Sequence, residues 1–245
     1  MLYVTGDLHG CKQKWIEQIH PVLQAGDIIF VAGDFGYGLF PGGPAREEAF
    51  YDWIAAQPYT VLVVDGNHEN FDKLEALPVT QWCGGRVQPI RENLLHLMRG
   101  EVYIIEGKTF FIMGGGYSLD RAMRREGESW WPQELPCAAE YDNAVAHLKQ
   151  CNGYVDYIIT HTCPSETVLY LATLRQYGIR RDVVEEMELT AFLDYVHFKT
   201  KYLRYYFGHF HIDAELWRGQ TAIFNCVRKV ETGEIVHWWD AYEGF

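Results

Sequence analysis

The first half of the chain alternates short apolar runs with amphipathic stretches. Leu2 to Thr5 reads as a strand, Lys12 to Leu23 as a helix, and Asp27 to Ala32 ("DIIFVA") as a second strand. Pro44 to Ala56 reads as a helix, because proline and acidic residues near its start suit a first turn. Thr60 to Val64 ("TVLVV") is a third strand. Such alternation predicts an α/β fold, a sheet with parallel strands and helices on its faces.

The pattern then turns to hairpins. "VYIIEGKTFFIMGGG" places Glu106-Gly107-Lys108-Thr109 between two β-rich runs. Ala138 to Lys149 reads as a helix, Tyr154 to Thr160 as a strand and Glu188 to Phe198 as a helix. From Tyr202 onward the chain is strand-rich, with turns at Arg218-Gly219 and Thr232-Gly233. No repeat or linker divides it, so one domain over residues 1–245 is expected, with a second sheet built from the hairpins. Gly114 to Pro136 ("GGGYSLDRAMRREGESWWPQELP") has no clear period and is rich in glycine, arginine and tryptophan. Long irregular segments in compact domains often carry function; the plain alternative is a surface loop whose tryptophans pack onto the core.

Composition narrows the classes. A formal charge of −12 argues against a long nucleic-acid footprint, which needs a basic stripe. Clustered acids that hold divalent cations would weaken that inference. No apolar run is long enough to span a bilayer, and the N-terminus lacks a basic-then-apolar signal pattern. A cytoplasmic location is therefore expected. The six cysteines are scattered without a CxxC pair, which predicts reduced thiols rather than disulfides.

Ligand-type residues recur where strands stop. The first strand ends in Gly6-Asp7-Leu8-His9, the second in Gly33-Asp34, and the third runs into Gly66-Asn67-His68-Glu69. The Tyr154–Thr160 strand ends at His161, and the Tyr202–Phe207 run ends in Gly208-His209-Phe210-His211. A Gly-Asp alone is commonly a turn. In open α/β sheets, however, the carboxyl ends of strands share one crevice, so five such endings in order point to a binding site. Carboxylate and imidazole ligands suit Mn²⁺, Fe or Zn²⁺, and seven of them suit two ions better than one.

The ordered set GDLHG, GD, GNHE, TH and GHFH, from Asp7 to His211, resembles the calcineurin-like metallophosphoesterase superfamily. The resemblance implies a β-sandwich flanked by helices, with the metal site at the C-terminal ends of strands. It implies that Asp7, His9 and His211 bind one metal, that Asn67, His161 and His209 bind the other, and that Asp34 bridges both. The implied cofactors are two divalent or trivalent ions, Mn²⁺ first, with Fe or Zn²⁺ as alternatives. The implied reaction is hydrolysis of a phosphomonoester or phosphodiester by metal-activated hydroxide, with His68 donating a proton or stabilising charge.

Small molecules and nucleotides are the favoured substrates. A nuclease acting on short or single strands is the alternative, and a catalytically silent scaffold that keeps the metals is the rival from another class. Ser/Thr phosphatases of the superfamily carry Asp-Arg-Gly where this chain has Tyr37-Gly38-Leu39, and an arginine where it has Asp65. The usual carboxylate partner of the catalytic histidine and two phosphate-gripping arginines are thus absent. Arg121, Arg124 and Arg125 are the candidate substitutes for binding phosphate. Asp120 with Trp130 or Trp131 would complete a substrate wall. The plain alternative for Arg121 to Glu128 is the start of a solvated helix.

Overall fold

A computed structural model describes residues 1–174 and 184–240. Three apolar segments, β1 (Leu2–Thr5), β2 (Ile28–Ala32) and β3 (Thr60–Val64), are buried almost throughout. β-Branched and aromatic side chains suit parallel strands covered on both faces. They pair in parallel with level ends, Thr5 opposite Val31 and Ala32 opposite Val64. The residues that follow these strands therefore emerge side by side.

This sheet is extended by β4 (Thr80–Trp82), β5 (Gly85–Arg91) and β6 (Leu94–Leu97) on one side. A second sheet begins with the hairpin β7 (Val102–Ile105) and β8 (Lys108–Met113). Glu106 and Gly107 both adopt positive φ, which gives the tight turn that "EGK" predicts. β9 (Tyr157–Thr160) and β10 (Arg204–Phe207) then run parallel to β8. β11 (Ala214–Glu215) and β12 (Gln220–Ala222) finish the second sheet, and β13 (Cys226–Lys229) and β14 (Ile235–Trp238) return to the first. The sheet orders are 14-13-1-2-3-6-5-4 and 11-12-10-9-8-7.

The two sheets face each other across a core that includes Val4, Phe30, Leu62 and Leu95 from one and Phe110, Ile112, Ile159 and Tyr206 from the other. Outside the first sheet, Trp15 and Ile19 pack with Phe50 and Ile54 of α2 (Pro44–Ala55) onto Ile29, Val31 and Val63. Outside the second, α4 (Ala138–Gln150), α5 (Ser165–Thr173) and α6 (Met187–Lys199) cover Phe111, Ile158 and Tyr205. The result is a β-sandwich flanked by helices, as expected.

Several details differ from the sequence reading. The Lys12–Leu23 segment is a short helix α1 (Lys12–Lys14), a π-helical turn (Trp15–Ile19) and a 3₁₀ turn (His20–Val22). Pro21 has no N–H to continue a regular α-helical ladder. The second sheet is mostly parallel, and hairpins extend both sheets rather than building one. The strand read from Tyr154 begins only at Tyr157, with Tyr154 in an isolated bridge to Lys201. Strands β4 to β6, α3 (Phe71–Glu75) and α5 had no clear sequence signal. Arg121 to Glu128 forms only a 3₁₀ turn (Arg121–Met123). All six cysteines stand unpaired, with Cys163 and Cys226 buried.

Candidate metal centre

Each motif follows directly on a buried strand, at one end of both sheets. His9, Asp34, His209 and His211 take left-handed backbone conformations, with φ of 51°, 49°, 68° and 52°. Such geometry costs about 1–3 kcal/mol per non-glycine residue and clusters at functional sites. The neighbouring glycines are sterically required. A Cβ at Gly33 would run into the His161 imidazole, and one at Gly66 into the Asp34 carboxylate.

Ligand atoms of Asp7, His9, Asp34 and His211 all lie within 4.8 Å of one another. The Nε2 atoms of His9 and His211 are 2.9 Å apart, and His211 Nε2 is 3.9 Å from Asp7 Oδ1. Asp34 faces two ways: Oδ2 lies 3.8 Å from His9 Nε2, and Oδ1 lies 3.3 Å from His161 Nε2. His161 Nε2 is also 3.0 Å from Asn67 Oδ1. His209 stacks edge-on against His161, its ring centre 4.8 Å away. All seven motif residues are therefore brought to one place, and His68 reaches it too, with Nε2 4.0 Å from Asp34 Oδ2.

The cluster fits cations. Asp7 Oδ2 is buried and has no hydrogen-bond partner, an expensive state for a carboxylate unless a positive charge answers it. His161 presents Nδ1 to the Ala32 carbonyl at 3.0 Å, which fixes a proton there and leaves Nε2 facing two oxygens. Without a metal, the buried Asp34 carboxylate keeps a second proton on this ring and raises its pKa, against the effect of desolvation. The Asp34 carboxyl is held well below the usual carboxylate range; His161 provides the largest lowering effect, against desolvation. His9, by contrast, is pushed down to about 4, chiefly by desolvation.

A surrounding shell orients these groups. Ser118 Oγ accepts from Asn67 Nδ2 at 3.1 Å and donates to Glu134 Oε1 at 2.9 Å, which turns the amide oxygen of Asn67 towards His161. Buried Glu186 lies 3.3 Å from His209 Nε2. Carboxylates in this position fix the tautomer of metal-binding histidines. Lys14, fully buried, donates from Nζ to the Asp7 carbonyl at 2.6 Å and sits 4.6 Å from the Phe224 ring, on which His211 stacks. Glu69 accepts the N–H groups of Phe35 and Tyr37 and so clamps the loop after β2.

The three arginines of the irregular segment separate. Arg124 Nη1 lies 3.0 Å from His68 Nδ1, and its Nε donates to Asp120 Oδ1 at 2.7 Å. Arg121 pairs with buried Glu134 at 3.0 Å, its guanidinium 4.4 Å from the Tyr117 ring and 4.0 Å from the Trp130 ring. Arg125 is 81% exposed and pairs with Glu128. Trp131 is buried with Phe71 and Leu74 and donates to Asp72, so it packs into a core and forms no wall. Asp65 binds Arg99 at 2.5 and 2.8 Å and His96 at 3.1 Å. Reading the sequence missed Glu186, Lys14, Ser118, Glu134 and Arg99. None stands in a strand-end motif, and Glu186 and Arg99 meet their partners 23 and 34 positions away.

The family model for calcineurin-like phosphoesterases matches residues 1–213 of the chain. The chain belongs to that family. No curated protein matches it. Membership accounts for the five strand-end motifs and the sandwich together, and brings metal-dependent phosphoester hydrolysis as the general activity. Among the described residues, no helix is long and apolar enough to cross a membrane.

Proposed function

We propose that this family member is a dinuclear metal-dependent phosphoesterase acting on a small phosphorylated molecule or nucleotide, as a monoester or diester. The observation that carries the reading is Asp34, whose two oxygens face two separate histidines. Asp7, His9 and His211 would hold one ion, Asn67, His161 and His209 the other, and Asp34 would join them. Since both sheets contribute ligands, residues 1–245 are taken as one metallophosphoesterase domain.

Two ions, Mn²⁺ first with Fe or Zn²⁺ as alternatives, would supply a nucleophilic water at neutral pH and positive charge for the phosphate oxygens. The chain's own contribution is orientation and proton placement. Arg124 can only donate, and it faces both ring nitrogens of His68, Nη1 at 3.0 Å from Nδ1 and Nη2 at 3.4 Å from Nε2; the shorter contact favours Nδ1 as acceptor and the ring proton on Nε2, the atom nearer Asp34. From there the N–H would donate to a phosphoryl or leaving oxygen. Asp120 holds Arg124 in place, and Arg124 also offers phosphate-gripping charge at the rim. Arg121, held between aromatic rings and Glu134, would shape that rim; Arg125 stays outside the reading.

The test is Mn²⁺-dependent hydrolysis of an aryl phosphomonoester and its diester, side by side, with Asp34→Ala as the control. Turnover of either substrate that disappears in the variant supports the reading. Two bound metals with no turnover of either would overturn it.

A further inference from the structure

A cleft of about 550 Å³ opens beside the metal cluster, and His9 belongs to both. Its walls come from the loops that leave β1 and β2 and from the helices α1 and α2 that follow them. Gly10, at φ 67°, packs against Phe40 and Pro41 so closely that a Cβ would stand 3.0–3.1 Å from them. The Gly10 N–H also donates to the Phe35 carbonyl at 2.9 Å, which joins the two loops. Phe40 and Pro41 supply an apolar side, Gln13 a polar one, and Lys12 and Arg46 two cations. Arg46 stands in the first turn of α2.

Among the described residues, Lys12 and Arg46 take part in no ion pair, and neither do Lys14, Lys108, Lys149, Lys199, Lys201, Arg204 and Arg218; what sets these two apart is that both line the cleft that His9 shares with the metal cluster. Two exposed cations in the lining of one cleft leave it complementary to a multiply charged anion. A guanidinium fork beside an ammonium suits phosphate oxygens. The volume exceeds what one phosphate fills and lies within the range of small-molecule sites.

We propose that this cleft binds a second phosphate, carried by the substrate beyond the one that is hydrolysed. The inference rests on the phosphoesterase reading and narrows its substrate class to compounds with at least two phosphates in sequence. Lys12 and Arg46 grip the distal phosphate, His9 marks the junction with the metal cluster, and Phe40 with Pro41 faces any organic body attached to it. An inorganic polyphosphate and a nucleoside polyphosphate share this chemistry.

The experiment compares the Mn²⁺-loaded protein with Lys12→Ala/Arg46→Ala and with the charge-keeping pair Lys12→Arg/Arg46→Lys, at one free Mn²⁺ concentration. Calorimetry measures tripolyphosphate and ATP binding; kinetics measures kcat/KM for both and for an aryl phosphomonoester. Each cation is expected to contribute about tenfold, so the alanine pair weakens tripolyphosphate binding by on the order of 10- to 100-fold. It lowers the ratio of polyphosphate to aryl-ester kcat/KM by a similar factor, mostly through KM, and the charge-keeping pair recovers much of both. Tighter binding of ATP than of tripolyphosphate assigns the cleft to a nucleotide, and the reverse assigns it to the inorganic chain. Unaltered binding in the alanine pair overturns the proposal. Failure of the wild-type protein to hydrolyse any of the esters would overturn the phosphoesterase reading alone, because the binding comparison still decides the cleft.

Discussion

Arg99→Met probes the buried ion pair that supports the loop before Asn67. The Asp65 and Arg99 side chains are 2% and 5% exposed and meet at 2.5 Å. Arg99 also donates to the Gln133 carbonyl at 2.8 Å, which ties the irregular segment to the same point. Removing the guanidinium leaves Asp65 buried and answered only by His96, and orphaning a buried charge costs about 3–5 kcal/mol. For a chain of this size each kcal/mol moves Tm by roughly 2–4 °C, so a fall of about 6–20 °C is expected. The assay is denaturant and thermal unfolding after chelation, so that metal binding does not mask the change. Asp65→Asn combined with Arg99→Met removes the stranded charge and is expected to recover most of the loss.

The pH dependence has a definite sign. Within the fold, Arg99 provides the largest lowering of the Asp65 pKa, against desolvation, and the carboxyl is held well below its ordinary value. Its contribution is therefore present above the unfolded pKa of about 3.9 and is lost as pH falls towards the depressed folded value. Arg99→Met should flatten that acid limb. A loss under about 1 kcal/mol in the single variant would refute the argument, as would a double variant no more stable than the single one.

Three further outcomes follow from the geometry. Gly116→Ala would place a methyl 3.0 Å from His161, 3.1 Å from Asn67 Oδ1 and 3.3 Å from His209, so it should weaken metal binding by roughly tenfold while the protein stays folded; unaltered calorimetric affinity would contradict this. Metal binding at neutral pH should release about one proton per chain, because His161 must give up the proton that Asp34 keeps on it. Apparent affinity should accordingly rise with pH until the raised pKa is passed, and calorimetry in buffers of different ionisation enthalpy counts the protons; a count near zero would refute the assignment. Arg124→Ala should lower kcat/KM by about 10- to 100-fold with metal content retained, and His68→Ala by about 100-fold or more; steady-state kinetics on an aryl ester decides both.

Much of the site was legible because its signals are local. A buried strand, a glycine and a ligand occupy three or four consecutive residues, and parallel pairing then brings Asp7, Asp34 and Asn67 into a row. What sequence did not disclose depends on contacts across long separations. Arg99 replaces the missing arginine before Asn67 only in the sense that it neutralises Asp65, 34 residues away. Arg124 meets His68 across 56 residues, so a carboxylate partner is exchanged for a donor that no local pattern announces. Edge strand β4 has only three residues, two of them exposed, and offers too little periodicity to be seen. Lys14 was hidden by its own polarity: it sits in a helical turn yet is buried against Asp7 and Phe224.

The most direct test of the proposed dinuclear centre is turnover of an aryl phosphate measured against the number of Mn²⁺ ions bound per chain, titrated into the metal-free protein. Activity that stays near zero until the second ion binds, and that Asp34→Ala abolishes together with one of the two ions, is the result predicted by a carboxylate facing both histidines. Full activity with a single ion bound, or two ions retained without Asp34, would contradict it.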